Sequence, residues 1–398
     1  MRKVMQRLSL AAICFSSFAL GSVSSLRAET EDDDRGFLAR SLMSREYADK
    51  TGLDVRGFIS GSGTWNPSTD DGGFNGPVSF NDRADVVQMD QFYLIMERKV
   101  ADEGWSLGGR ADFMYGTDYA FTTSRGFDDL LNPGDTYGAA IPQAYLELRT
   151  PIGDGLTIKA GHFYTLIGYE VVPAKDNFFF SHAYSMQYGE PFTHWGALAT
   201  YKFCDDLTVT AGAVRGWDNL NDDADGNLAF HGGATYTISE DTTAIFSLIS
   251  GNEGRGRNQT AYSAVLTHAL SDTLTYVFQH DFGRSEGTAD TVASQWYSIN
   301  NYLMKQIDDD FSIGARFEWF RDDDGARVVG LRSGAGGVPA NYFQFTVGAN
   351  AKLTDYLMFR PEVRYDYQDL IRGATTEAFD SGTESSQIVA SANLVLSF

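Results

Sequence analysis

The sequence predicts an all-β fold: a transmembrane antiparallel β-barrel of about sixteen strands, preceded by an export signal and a short N-terminal segment. Three observations predict it. Apolar side chains recur at every second position in segment after segment of the 398 residues, the periodicity of strands with two unlike faces. The connections between these segments alternate short and long. No later stretch approaches the roughly 18 apolar residues of a membrane helix, so any crossing of a membrane falls to strands.

Composition sets further bounds. The chain has 41 Gly, 9 Pro, 28 Phe and 20 Tyr, and 31 Lys+Arg against 53 Asp+Glu, for a net charge of −22. Phosphate binding needs basic patches, so this balance argues against nucleic acid as a partner. Two cysteines, Cys14 and Cys204, exclude a disulfide scaffold and a multi-cysteine zinc site. Mean hydropathy is −0.26, unlike a polytopic helical membrane protein.

The first segment reads as an address. Arg2, Lys3 and Arg7 precede the apolar run Leu8 to Leu20, and Ala28 offers a cleavage site, with Gly21 or Ser24 as alternatives. The run is too short to span. Cleavage after Ala28 removes Arg2, Lys3, Arg7 and Arg27 and no acid, taking the charge from −22 to −26 and leaving Cys204 alone. Residues 29–52 follow as a periplasmic segment. Phe37, Leu38 and Leu42 suggest a short amphipathic helix there, a tail or a cap on the barrel mouth.

The barrel is expected over 53–398, with strands near 53–65, 87–99, 104–116, 138–150, 155–167, 193–203, 206–217, 227–238, 241–251, 259–270, 273–283, 293–305, 309–321, 341–353, 356–368 and 386–398. The clearest alternation sets Leu357, Phe359, Pro361, Val363, Tyr365 and Tyr367 against Met358, Arg360, Glu362, Arg364, Asp366 and Gln368. Pro361 cannot donate to a ladder and suggests a bulge. Phe311 to Trp319, Phe343 to Leu353 and Trp105 to Tyr115 alternate alike, with aromatics gathered toward the ends. In the last strand Ile388, Ala390, Ala392, Leu394, Leu396 and Phe398 share an apolar face; the other face is mixed, because Val389 and Val395 lie on it. A strand ending on Phe398 behind Leu396 and Leu394 resembles the signal read by the barrel-assembly machinery of the outer membrane.

Short turns centre on Asp102, Gly153, Asp205, Glu240, Asp272, Asp308 and Asp355, opposite longer loops. An even strand count brings both ends to one side, so the first strand can pair with the last and no edge stays open. The longest loop, 168–192, is rich in aromatics and carries Glu170, Lys175, Asp176 and Glu190. Long irregular loops usually have a function. Folded inward, it would narrow the lumen and set its acids against wall residues Arg110, Arg316, Arg360 and Arg364, which share their faces with Asp112, Glu318, Glu362 and Asp366. Such opposed charges would order polar solutes. Folded outward, it would pack on its neighbours. The wall charges alternate in sign and can also neutralise one another across strands.

Acidic clusters at Asp70 and Asp71, at Asp222, Asp223 and Asp225, and at Asp322 to Asp324 read first as solvated turns; bridging by divalent cations is the sharper alternative. The six histidines are scattered, with no HExxH, GxSxG, P-loop or Rossmann fingerprint. The pattern implies neither metal nor cofactor, and an enzyme would have to assemble Ser, His and an acid from separate strands.

The stretch from Val55 to Arg98, then GWSLGGRADFMYGTD, IKAGHFYTLIGYE, DNFFFSHAY and EPFTHWGALATYKF, resembles the OmpL-like outer-membrane β-barrel porins. The resemblance covers most of the chain beyond the signal and is densest over 55–217. It implies an outer-membrane location among lipid, passive passage of small hydrophilic solutes or ions, assembly as a homotrimer, and no catalytic residues. The charge suggests mild cation preference. A non-conducting barrel serving as a structural, adhesion or binding module is the competing expectation.

Overall fold

A computed structural model describes residues 45–69, 73–131, 136–220, 228–253, 257–287 and 292–398. The signal segment, the apolar residues 37–42 and the clusters at 70–71 and 222–225 lie outside the described residues. Helix α1, Arg45–Thr51, is the described part of the N-terminal segment. It ends at Gly52, which takes φ +66° and donates its N–H to Ala48 O at 2.7 Å, the left-handed stop that glycine adopts without steric cost.

Sixteen staves follow. They are β1 Leu53–Trp65, β2 Val86–Arg98, β3 Ser106–Gly116, β4 in two segments, Gly138–Ala140 and Ala144–Thr150, and β5 Leu156–Tyr164. Next come β6 Thr193–Cys204, β7 Leu207–Val214, β8 Ala229–Ser239, β9 Thr242–Asn252, β10 Asn258–Ser271 and β11 Leu274–Ser285. The last five are β12 Ser294–Gln306, β13 Phe311–Asp322, β14 Ala340–Lys352, β15 Leu357–Leu370 and β16 Ser386–Ser397. Both segments of β4 pair with β3, so they are one interrupted stave. Every neighbour is antiparallel, and β1 closes on β16 with Phe58 opposite Ser397 and Trp65 opposite Ala390.

Connections of two to seven residues join β2 to β3, β4 to β5 and so on at one end, and the long loops gather at the other. The expected register survives at Pro361. It pairs with Ala392 on β16, and β14–β15 keeps one register from Gly348–Glu362 to Ala351–Phe359. The expected bulge is therefore corrected: the pairs at Arg360 and Pro361 are skipped on that side, and no residue is inserted. A skipped pair suffices because proline lacks only its own N–H.

The sidedness separates a membrane barrel from a soluble sandwich. On β15, Val363, Tyr365 and Tyr367 are 47%, 43% and 39% exposed, whereas Arg364 and Asp366 are 0% exposed. A sandwich in water would invert this, since apolar side chains seek the interior. Trp105, Phe203, Tyr236, Phe311 and Tyr356 stand exposed near the short-turn end, where an aromatic girdle meets the interface. No helix among the described residues is long and apolar enough to cross a membrane. The mixed face of β16 points inward: Val395 packs with Phe58, Tyr93, Ile95 and Met114.

Candidate functional site

After Tyr164 the chain leaves the wall. Gly168 takes φ +92°, and a side chain there would collide with the Glu190 carboxylate. Residues 168–192 then form a 3₁₀ turn, Ala174–Asp176, and a π-helical turn, Ser185–Gly189.

The polar faces of β13 and β15 meet this segment. Glu362 accepts from the N–H groups of Phe180 at 2.9 Å and Ser181 at 3.1 Å. Glu318 accepts from those of Tyr184 at 2.6 Å and Ser185 at 2.7 Å. Arg316 donates to Glu170 Oε1 and to Ser181 O, both at 2.6 Å. Arg360 donates to Ala174 O at 2.8 Å and Asn177 O at 2.7 Å. Arg364 donates to His182 O at 2.6 Å and pairs with Asp366, which accepts from Tyr184 Oη at 2.9 Å. Trp296 donates from Nε1 to Gly189 O at 3.0 Å.

Sheet register explains the grouping. Stave β14 lies between the two, so Arg316, Thr346 and Arg364 share one level and Glu318, Gln344 and Asp366 the next. Below them Gly314 and Gly348 stand side by side. A Cβ on Gly314 would come within 2.5 Å of the Phe178 ring, so the missing side chain is what admits that aromatic.

Glu170 is the charged hub. Its second oxygen accepts from Ala183 N at 2.9 Å and lies 3.1 Å from His182 Nδ1, and Tyr302 Oη donates to the first at 3.1 Å. Burial alone would push this carboxyl up, but the Arg316 guanidinium, His182 and the Ala183 N–H outweigh it and hold it at about 2.

The other expected site residues stand differently. Glu190 accepts from Gln279 Nε2 at 2.6 Å. Lys175 and Asp176 pair with each other at 3.4 Å. Arg110 pairs with its own-strand neighbour Asp112 at 2.7 Å, far from the β13–β15 group. Among the described residues, Glu170 alone of this segment forms an ion pair with a wall arginine. Arg316, Arg360 and Arg364 each also hold backbone carbonyls of the segment, a role that no side-chain inventory of the sequence displays.

Space remains on the other side. A cavity of about 400 Å³ lies between residues 165–176 and 186–192 and the inner faces of β2–β7. Its polar wall includes Glu97, Arg110, Tyr145, Glu147 and Lys159. Glu97, Glu147 and Lys159 were missed as site residues, although Tyr145, Glu147 and Arg149 alternate with Leu146 and Leu148 as the rule for a lumen face requires. No group of three metal-binding side chains gathers among the described residues.

A closed sixteen-stave barrel, apolar outside and charged inside, defines the class of outer-membrane channel proteins. The family model described as "putative beta-barrel porin-2, OmpL-like" matches residues 52–398, and the chain belongs to that family. It is thus an outer-membrane porin. No curated protein matches significantly. Among solved structures, the chain is similar to the outer membrane channel DcaP of Acinetobacter baumannii, at 12% identity and TM-score 0.58, over 88% of this chain and 98% of that one. It is similar to the trimer form of OmpT of Vibrio cholerae at 10% identity and TM-score 0.57, over 87% and 99%. It is also similar to an anion-selective porin from Comamonas acidovorans at 9% identity and TM-score 0.57, over 87% and 99%. At these identities the likeness establishes the fold.

Proposed function

We propose that the barrel is a passive diffusion channel for small hydrophilic solutes and ions, narrowed by residues 168–192. The observation that carries this reading is the one-sided attachment of that segment. Charged groups of β13 and β15 hold its backbone, while about 400 Å³ stays open against β2–β7. Hydrogen bonds to charged groups contribute roughly 1.5–3 kcal/mol each, so the segment acts as a fixed partition. Purified protein in planar bilayers is expected to give discrete conductance steps; a folded but silent barrel would sink the proposal.

Mild cation preference accompanies it, drawn from the acidic loops and turns. It is weak because charges beyond about 10 Å are screened at 0.1 M salt. Reversal potentials under a salt gradient test it, and anion preference counts against it. The lipid-facing staves imply outer-membrane lipid as the environment. The assembly machinery would read Phe398, Leu396 and Leu394. A homotrimer is supported by the trimer form of OmpT, and detergent-phase mass measurement would test it.

One observation favours a non-conducting module. The long loops interlock over residues 168–192: Arg332 pairs with Asp82 at 2.7 Å, Ser333 Oγ donates to Gly76 O at 2.7 Å, and Tyr188 Oη donates to Pro77 O. Discrete conductance from the intact chain would rule out occlusion.

A further inference from the structure

We propose that the open half of the lumen favours zwitterionic small solutes bearing an apolar group, such as valine, and that Glu147 and Lys159 select them. This deepens the channel reading above and rests on it.

The arginines of β13 and β15 are beyond a solute's reach. Arg316 and Arg364 are 0% exposed and Arg360 is 2% exposed, and each is bonded to residues 174–182. A further set of charges lines the cavity from the opposite wall, on β2–β5. Lys159 Nζ lies 3.4 Å from Glu147 Oε1, with side chains 28% and 22% exposed. Charge-assisted hydrogen bonds run at about 2.7–2.9 Å, so this pair is loose and each partner keeps capacity for another ion. The register sets Glu147 directly opposite Lys159, so the sheet fixes their spacing. The ammonium also lies 4.3 Å from the centre of the Tyr145 ring, which limits its wandering.

The facing surface of the cavity is mainly hydrocarbon, Leu166, Ile167, Val171, Val172, Pro173 and Phe192, with the carboxylates of Glu170, Asp176 and Glu190 set into it. These are already bound to Arg316, Lys175 and Gln279 respectively. A solute here meets paired opposite charges on one side and a mainly apolar wall on the other. An α-amino acid carries ammonium and carboxylate on adjoining carbons, so it can lie antiparallel to the pair with its side chain toward the hydrocarbon. A simple anion can pair only with Lys159 and a simple cation only with Glu147, while a polyol offers hydroxyls but no full charge to either.

Proteoliposome swelling with the full-length barrel tests this, using isosmotic valine against erythritol. The ratio of the two rates within one preparation cancels differences in the yield of folded protein. Partly exposed ion pairs contribute about 0.2–1 kcal/mol, so valine is expected to enter roughly 1.5 to 5 times faster. Glu147→Gln and Lys159→Gln should each bring the ratio to one, and the exchanged pair Glu147→Lys with Lys159→Glu should restore it. Equal rates in the wild type, or a ratio that neither single variant moves, overturns selection by the pair. Absence of swelling with both solutes overturns the channel reading instead.

Discussion

Arg316 in the middle of β13 donates at 2.6 Å to Glu170, which lies 146 residues earlier in the chain, beyond the end of β5. Both are buried. Two charges taken from water are stable only with full pairing and hydrogen bonding. Here Ser181 O, Gln344, Tyr302 and Ala183 N complete the set. The pair therefore fixes where residues 168–192 can sit.

Glu170→Gln should be strongly destabilising, because it leaves the Arg316 guanidinium buried without its counter-charge, a loss of about 3–5 kcal/mol. Denaturant unfolding in detergent micelles measures it. Stability equal to wild type would refute the role given to this pair.

Acid should act on the same contact. The folded Glu170 is held at about 2, below the ordinary glutamate value of about 4.3. A depressed carboxyl contributes stability that is complete above its unfolded value and is lost as pH falls through the folded one. The clamp should therefore weaken between about pH 4.3 and pH 2. Single-channel recording across that range should show growing current noise, and a Glu170→Gln channel should lack that response.

Glu318 and Glu362 each hold two consecutive N–H groups of the inner segment. Glu318→Ala and Glu362→Ala should free that backbone while leaving the outer ladder intact. Limited proteolysis should then cut within 168–192, and conductance should change in size or noise. Unchanged cleavage and unchanged current would show that the two carboxylates do not anchor the segment.

Phe345 faces outward between Phe317 and Tyr365 on neighbouring staves. Phe345→Arg should cost roughly 2–4 kcal/mol near the bilayer midplane. Its inward neighbour Thr346 is 0% exposed and touches Arg316, so the two positions test the sidedness. Refolding equilibria in lipid vesicles read the difference, and a neutral Phe345→Arg would contradict a lipid-facing surface.

Barrel closure depends on Gly57. Its N–H and C=O each bond the backbone of Phe398 at 2.9 Å, and a Cβ there would lie 2.5 Å from the Phe398 ring and from Tyr93 O. Gly57→Val should overpack the seam, at about 1–3 kcal/mol. Heat-dependent migration on gels should report a smaller folded fraction.

Much of this molecule is written in period two. Strand identity, the count of sixteen staves, the alternation of short and long connections and the choice of outward face all follow from it. Each is local: successive side chains of a strand point to opposite sides, and an even barrel must close without an edge. The sequence also marks Arg316, Glu318, Arg360, Glu362, Arg364 and Asp366 as inward residues by the same rule. Their partners are a different matter. All these charges but Asp366, which takes the Tyr184 hydroxyl, bind the backbone of residues 168–192, whose N–H and C=O groups look alike at every position, so only the folded path of the chain could pair them. The register across β13, β14 and β15 sets the two arginines and two acids in adjacent levels, with Gly314 and Gly348 leaving room beneath. The open wall at Glu147 and Lys159 likewise becomes visible only once residues 168–192 have taken the opposite side. Alternation decides which way a side chain points; contacts across more than a hundred residues decide what it meets, because burial and pairing depend on the whole closed surface.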